Sequence, residues 1–336
     1  MVKVGNMKVV GKWLLRCLFW LPLIWVALEG LCMLELDGAE ALPPTLPNSK
    51  EMPFDPITLW KLNPGSFTAG GIEYNINASG RRVTTARNTE TVVFVGDSST
   101  FGFGVPTGDS LPEQSAMCSG YNPVNAAVSG YSSSQIVAQL PALLQATTPK
   151  WVVVGLPWSD FMHSTVSDEK RLERAGAVGR VLRIIEHPVV RRSFIAQWLL
   201  LKAEESRRST PIELDPDSIL DPNSTGLVRR VSSEKHLNNV QRITKISHRK
   251  GVRLVLIHLP RNPRAPGPGN SLIRSYRDPV RQWSEEQNVP LVEGNRLLEA
   301  LPLEHQARHF VDDIHPSKLG HKRLAAALCS YLNQRP

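Results

Sequence analysis

A hydroxyl, an imidazole and a carboxylate occur in this chain in an order that can carry nucleophilic catalysis. Ser98 follows Gly96-Asp97 directly after the apolar run Thr91–Val95 (TVVFV). Asp312 and His315 stand three apart in Asp312-Asp313-Ile314-His315-Pro316. A hydroxyl is a poor nucleophile at neutral pH, so it needs a general base, and an imidazole has the suitable pKa. The imidazole in turn needs a carboxylate that fixes its tautomer and stabilises the imidazolium. A serine at a strand-to-helix turn also brings its own amide near a helix N-terminus, where developing negative charge is stabilised. Blander roles exist for the same residues. Ser98 could cap the helix after the strand, and Asp312 and Asp313 could be solvated loop acids, with His315 at a helix start before Pro316.

These residues need strands to place them. Thr91–Val95, Val124–Val128, Trp151–Leu156, Val252–His258 and Val289–Val292 are short β-branched or apolar runs, as expected of strands buried on both faces. Helical stretches fall between them at about 109–118, 132–145, 232–249, 271–287 and 317–333. Alternation of this kind predicts a three-layer α/β/α domain around a five-stranded parallel sheet, with right-handed crossovers. Its ligands belong beyond the strand C-termini, where Ser98 stands. Thr100 occupies the second glycine position of a GxSxG elbow, which argues against an ordinary α/β-hydrolase. Neither GxxxxGK[ST] nor GxGxxG follows the first strand, so the simplest nucleotide-binding readings fall away.

The 336 residues are 41% hydrophobic and 21% charged, which excludes disordered, collagen-like and coiled-coil chains. Four cysteines without CxxC or Cys/His spacing offer no zinc site, and no metal or organic cofactor is expected. A net charge of +8 invites a nucleic-acid reading, but Lys3, Lys8, Lys12 and Arg16 all precede the first acidic residue, Glu29. Residues 29–336 then hold 35 basic against 31 acidic side chains, and nucleic acid is not expected as a partner.

That basic flank leads into the Leu/Trp/Ile-rich run Cys17–Leu34, so the chain is expected to insert with its N-terminus inside. Trp13–Leu34 is long enough to span a bilayer. The expected organisation is a cytoplasmic stub at 1–12, a transmembrane helix serving as signal-anchor at 13–35, a linker at 36–72, a lead-in hairpin at 73–90 and a catalytic domain at 91–336. The domain would lie outside the cytoplasm, periplasmic or at the cell surface. Secretion after cleavage near Ala39-Glu40-Ala41 is the alternative. One crossover, 161–250, is longer than a single helix requires. Its basic amphipathic stretch, Lys170 to Arg208, reads as extra helices on the core, as a cap, or as a surface for anionic headgroups.

GDSST after the first strand, NAAVSGYSS after the second and DDIHPSKLGH near the end resemble the SGNH (GDSL) hydrolase superfamily over roughly residues 90–333. The N-terminal segment and YNINASGRR are also similar to membrane-anchored bacterial members. The resemblance implies a flavodoxin-like domain and a serine esterase with Ser98 as nucleophile, His315 as base and Asp312 as its orienting carboxylate. It assigns the oxyanion hole to the amides of Ser98 and Gly130. A third family donor, the Asn of a GxND segment, falls on Ser159 in Pro157-Trp158-Ser159-Asp160, and Pro157 replaces the glycine. Tyr131 and Trp158 flank this site and could line a substrate pocket, or pack at the rim. The implied substrate is an O-acyl group on envelope glycan, or a lipid ester. An O-acyltransferase using the same triad, or a non-catalytic glycan- or lipid-binding module, are the alternatives. Cys118 and Cys329, near the ends of two domain helices, could form a disulfide.

Overall fold

A computed structural model of the chain describes residues 20, 21, 23–32, 51–85, 90–164, 166–185, 193, 195, 198, 227–265 and 270–334. The expected stub 1–12, the site at 39–41, the linker up to residue 50 and most of the apolar positions between 186 and 208 lie outside them.

Four short strands precede the main sheet: β1 (Phe54–Asp55), β2 (Leu59–Trp60), β3 (Gly65–Ala69) and β4 (Ile72–Ile76). The strand pairs β1–β2 and β3–β4 are antiparallel. β3 and β4 form a hairpin at 65–76, mostly inside the stretch expected to be linker, and within the expected lead-in at 73–90 the chain turns back a second time, with Ile76 paired antiparallel to Arg82. Gly70 and Gly71, with φ of 58° and 75°, form the two-residue turn that a right-twisted hairpin requires. The turn signalled by YNINASGRR also forms, with the Gly80 N–H donating to the Asn77 carbonyl at 2.9 Å.

The central sheet contains β5 (Thr91–Val95), β6 (Asn122–Asn125), β7 (Trp151–Leu156), β10 (Arg253–His258) and β11 (Leu291–Glu293). Its order is β11-β10-β7-β5-β6, and all four pairings are parallel. Period-two alternation divides the core. Val93, Val95, Val152, Val154, Leu254 and Leu256 join one apolar cluster, and Val92, Phe94, Val153, Val255 and Ile257 join another. Both faces of β5, β7 and β10 are therefore covered, which is why their sequence runs are continuously apolar. β6 comes earlier than its apolar run suggests. It starts at Asn122 and includes Pro123, whose missing N–H is tolerated because β6 is an edge strand.

The helices are α1 (Ser98–Phe101), α2 (Leu111–Ser119), α3 (Ser133–Thr147), α4 (Asp168–Ile185), α5 (Ser233–Arg249), α6 (Asn270–Glu286), α7 (Arg296–Glu299), α8 (Leu303–Ala307) and α9 (Lys318–Leu332). Ile136, Leu140 and Leu144 of α3 pack with Val240 and Ile243 of α5 on one face. Leu111 of α2 and Leu324 and Leu328 of α9 pack on the other. A disulfide pairs Cys118 of α2 with Cys329 of α9, whose Cα atoms are 6.1 Å apart. A third cluster joins Trp60, Leu62, Tyr74 and Ile76 of the lead-in to Phe101, Ala127, Val128 and Tyr131. The lead-in is thus part of the domain core.

Within the long crossover, α4 is followed by β9 (Val228–Arg229), which pairs antiparallel with β8 (His163–Ser164). The fully buried Arg230 and Asp168 form an ion pair at 2.7 Å at its base. The chain forms two compact units, Leu46–Gly176 with Ile212–Pro336, and Met1–Thr45 with Ala177–Pro211. In the second of these, Glu29 accepts hydrogen bonds from the Ser193 hydroxyl at 2.5 Å and the Ile195 N–H at 3.2 Å. Residues 20, 21 and 23–32 are helical and expose Trp20, Leu21, Ile24, Trp25, Val26 and Leu31. Among the described residues, however, no helix is long and apolar enough to cross a membrane. The expected span 13–35 extends beyond the described residues at both ends.

Candidate active site

Ser98 is the first residue of α1, immediately beyond the C-terminal end of β5. Asp97 caps that helix, its carboxylate accepting the Ser99 N–H at 3.0 Å. The helix is one turn long and closes at Gly102 in the left-handed region, with φ 85°. A macrodipole from four residues is small, so α1 as a helix adds little charge stabilisation at Ser98.

The C-terminal loop brings the other two groups to the serine. His315 Nε2 lies 2.7 Å from Ser98 Oγ, and His315 Nδ1 lies 2.6 Å from Asp312 Oδ2. Asp312 Oδ1 also accepts the backbone N–H groups of Ile314 at 2.9 Å and His315 at 2.8 Å. The three-residue spacing thus closes a tight loop in which one carboxylate holds both the ring and the backbone of its histidine. Burial pushes the Asp312 carboxyl upward, but the bonds and charge of His315 outweigh it and hold the group below its ordinary value. The Ser99 hydroxyl donates to the Ile314 carbonyl at 3.0 Å, which joins the serine turn directly to the histidine loop.

Two further strand ends are tied to the same point. The Val128 N–H donates to the Gly96 carbonyl at 3.1 Å, and Gly130 lies just beyond with φ 78°. Only glycine adopts that backbone without strain. After β7, Trp158–Phe161 form a single 3-10 turn. Its Trp158 N–H donates to Asp97 Oδ2 at 2.7 Å, and the Ser159 amide also bonds to Asp97. Burial raises the Asp97 carboxyl to about 6, although His315 and the amides of Ser99, Trp158 and Ser159 all favour its ionised form. Asp160, next in the turn, accepts the Ser133 N–H at 2.7 Å and lies 2.6 Å from His236 Nδ1.

The structure therefore brings Ser98, His315 and Asp312 together, and it ties the strand ends bearing Gly130 and Ser159 to the residues beside the serine. Tyr131 and Trp158 are almost completely buried, at 2% and 3% exposure. The Tyr131 hydroxyl donates to the Trp60 carbonyl at 2.7 Å, and Trp158 packs on Phe161 and under Arg277. Both side chains are therefore packed in the protein interior. His258 is also internal. It lies 3.0 Å from Glu293, and burial lowers its pKa to about 4. Among the described residues no three His, Cys, Asp or Glu side chains cluster as metal ligands would.

Two buried polar residues near this site, Asp97 and Arg82, each 1% exposed, carried no assignment in the sequence. Asp97 was visible in GDSST but carries no signal of its partner in a distant turn. Arg82 is one of many arginines, and nothing in YNINASGRR marks it as buried.

The profile of the GDSL-like lipase/acylhydrolase family matches residues 94–323. No curated protein matches the chain. Among solved structures, an acetylxylan esterase from Geobacillus stearothermophilus, Axe2, is 16% identical, with 73% of this chain and 95% of that one covered and a TM-score of 0.44. A psychrotrophic esterase from Pseudoalteromonas sp., EstA, is 16% identical over 73% of this chain and 100% of its own, with a TM-score of 0.42. A lipolytic G-D-S-L family protein from Veillonella parvula is 11% identical over 73% and 100%, with a TM-score of 0.46.

Proposed function

The chain belongs to the GDSL-like lipase/acylhydrolase family and is an ester hydrolase of that type, and we propose that it is a membrane-anchored serine esterase acting outside the cytoplasm. The observation that carries the catalytic reading is the continuous chain of contacts from Ser98 Oγ to His315 at 2.7 Å and on to Asp312 at 2.6 Å.

In this reading Ser98 Oγ attacks the ester carbonyl carbon while His315 Nε2 takes its proton. Asp312 keeps the Nδ1 proton in place and offsets the charge of the imidazolium. The tetrahedral oxyanion rests on the amides of Ser98 and Gly130, with the Ser159 hydroxyl as the third donor. His315 then protonates the departing alkoxide, and the acyl group stays on Ser98. Water attacks the acyl-enzyme with His315 as base, releasing the carboxylic acid and restoring the serine.

Three observations support the location. Lys3, Lys8, Lys12 and Arg16 flank only one side of the apolar N-terminal segment. The apolar side chains of helical residues 20, 21 and 23–32 are largely exposed, as suits a lipid environment. The Cys118–Cys329 pair suits an oxidising compartment. A substrate at a cell envelope would be an O-acyl group on glycan, or a lipid ester.

The test is hydrolysis of p-nitrophenyl esters of increasing acyl length by the full chain in detergent, beside Ser98→Ala. Hydrolysis by the wild type alone, with labelling of Ser98 by a fluorophosphonate, is expected. Equal inactivity of both proteins over the whole series defeats the proposal. Acyl transfer to a glycan that outpaces hydrolysis would assign the same residues to a transferase.

A further inference from the structure

Arg82 closes the lead-in and lies outside the residues that the family profile matches. It is 1% exposed. Its Nη1 donates to the carbonyls of Phe101 at 2.9 Å and Gly102 at 2.7 Å, and its Nη2 donates to the Val105 carbonyl at 2.7 Å. The guanidinium carbon stands 4.7 Å from the centre of the Tyr74 ring and 5.1 Å from that of Phe101. Burying a cation is costly unless it is solvated by protein groups, and here three carbonyls and two aromatic faces do so.

The segment that Arg82 grips, 101–105, touches both partners of the catalytic pair. The amides of Gly102 and Phe103 both donate to the Ser98 carbonyl, at 3.1 and 3.0 Å. The Phe103 ring packs against the His315 ring with centroids 4.9 Å apart. The Gly104 N–H donates to the Tyr74 hydroxyl at 2.8 Å. A Cβ on Gly104 would come within 2.7 Å of Val311, so this turn lies directly against the histidine loop. The Val311 N–H in turn donates to the His315 carbonyl at 2.9 Å.

We propose that Arg82 is a positioning residue for the esterase reaction. By clamping 101–105 it holds the Ser98 turn and the face of His315 in one register. The proposal rests on the reading of Ser98 and His315 given above. It also assigns a task to the lead-in, which supplies Arg82 and Tyr74 to the domain. Lysine cannot replace the guanidinium, because a single ammonium cannot spread planar donors over three carbonyls and two rings.

The test uses the full chain with Arg82→Lys, Tyr74→Phe and Phe103→Leu. kcat and KM for p-nitrophenyl acetate, the rate of Ser98 labelling by a fluorophosphonate and Tm are read for each. Arg82→Lys is expected to lower kcat and the labelling rate about tenfold or more, with KM within about twofold, because small misplacements of reacting groups act on the chemical step. Tyr74→Phe and Phe103→Leu should lower kcat by about threefold each at nearly unchanged Tm. A folded Arg82→Lys with wild-type kcat and labelling overturns the proposal. If Arg82→Lys does not fold, wild-type kcat in both other variants overturns it. A wild type that is neither labelled nor active overturns the esterase reading and the proposal with it, whereas a labelled wild type matched by its variants overturns the proposal alone.

Discussion

The Asp97 carboxylate receives the Trp158 N–H at 2.7 Å, joining the residue before Ser98 to a turn 61 positions further along the chain. Its other oxygen takes the Ser99 N–H at 3.0 Å, so one buried group braces the ends of β5 and β7. Asparagine is nearly isosteric but offers a single acceptor, and its NH2 must face an amide donor. An unsatisfied buried N–H costs about 1–3 kcal/mol. Asp97→Asn is therefore expected to lower kcat on p-nitrophenyl acetate by about tenfold to a hundredfold while KM changes little. Wild-type kcat in the folded variant would show that this brace is irrelevant to the reaction.

Asp312 is 46% exposed at its side chain, whereas His315 is 14% exposed. Water therefore screens part of the charge that the carboxylate presents to the imidazolium. Replacing a buried triad carboxylate by an amide lowers kcat by roughly ten-thousandfold. For Asp312→Asn a smaller fall, on the order of a hundredfold, is expected, and it should grow at low ionic strength in steady-state assays. A loss no greater than twofold would remove Asp312 from the triad.

Ser159 stands where the family carries a longer amide side chain, and its backbone N–H is already engaged by Asp97. If its hydroxyl supplies the third oxyanion donor, Ser159→Ala should lower kcat by about a hundredfold, as loss of one such donor does. Ser159→Asn should retain activity or exceed the wild type. Equal kcat in wild type and Ser159→Ala would leave the two backbone amides as the whole hole.

Two buried histidines tie stability to pH. Burial lowers His321 to about 3 and His258 to about 4, while an unfolded chain titrates both near 6.5. Below pH 6.5 the unfolded chain binds the extra protons, so stability falls as pH drops toward 4. Asp97 acts in the opposite sense. Its carboxyl is raised to about 6, so its contribution is present at low pH and is lost as pH rises through that value. Neither ring nitrogen of His321 has a hydrogen-bond partner among the described residues. His321→Leu should be no less stable at pH 7. It should also remove about one proton from the pH slope of urea unfolding, on the order of 3 kcal/mol between pH 7 and 4. An unchanged slope would contradict the burial of a neutral imidazole there.

The Cys118–Cys329 disulfide joins α2 to α9 across 211 residues. Closing so long a loop typically stabilises by about 2–5 kcal/mol. Cys118→Ser, or dithiothreitol, is expected to lower Tm by several degrees, by roughly the ratio of that energy to the unfolding entropy. The esterase rate at 25 °C should stay within about twofold, because neither cysteine contacts the triad. An identical Tm with and without reductant would argue that the thiols stay free.

Much of this arrangement was legible from residue order. Thr91–Val95 and Trp151–Leu156 coincide residue for residue with β5 and β7, because strands buried on both faces leave an unbroken apolar signature. β6 was harder to place, since an edge strand admits Asn122 and Pro123, which a search for apolar runs passes over. The hairpin at 65–76 precedes the turn-back read at YNINASGRR and falls mostly in the stretch expected to be linker. YNINASGRR carries a genuine turn, and Gly70-Gly71 just before it was the stronger hairpin signal.

Residue types and spacing along the chain determined the alternating α/β order, the strand-end position of Ser98 and the pairing of Asp312 with His315. These depend on local chemistry and on periodicities of two and 3.6, which are written in consecutive residues. The tertiary structure alone decided that Asp97 reaches Trp158, that Arg82 bonds the carbonyls of the turn around Phe103, and that Tyr131 and Trp158 are buried. Each of those depends on contacts between segments far apart in sequence, where burial depth and partner identity are set by packing and leave no local pattern.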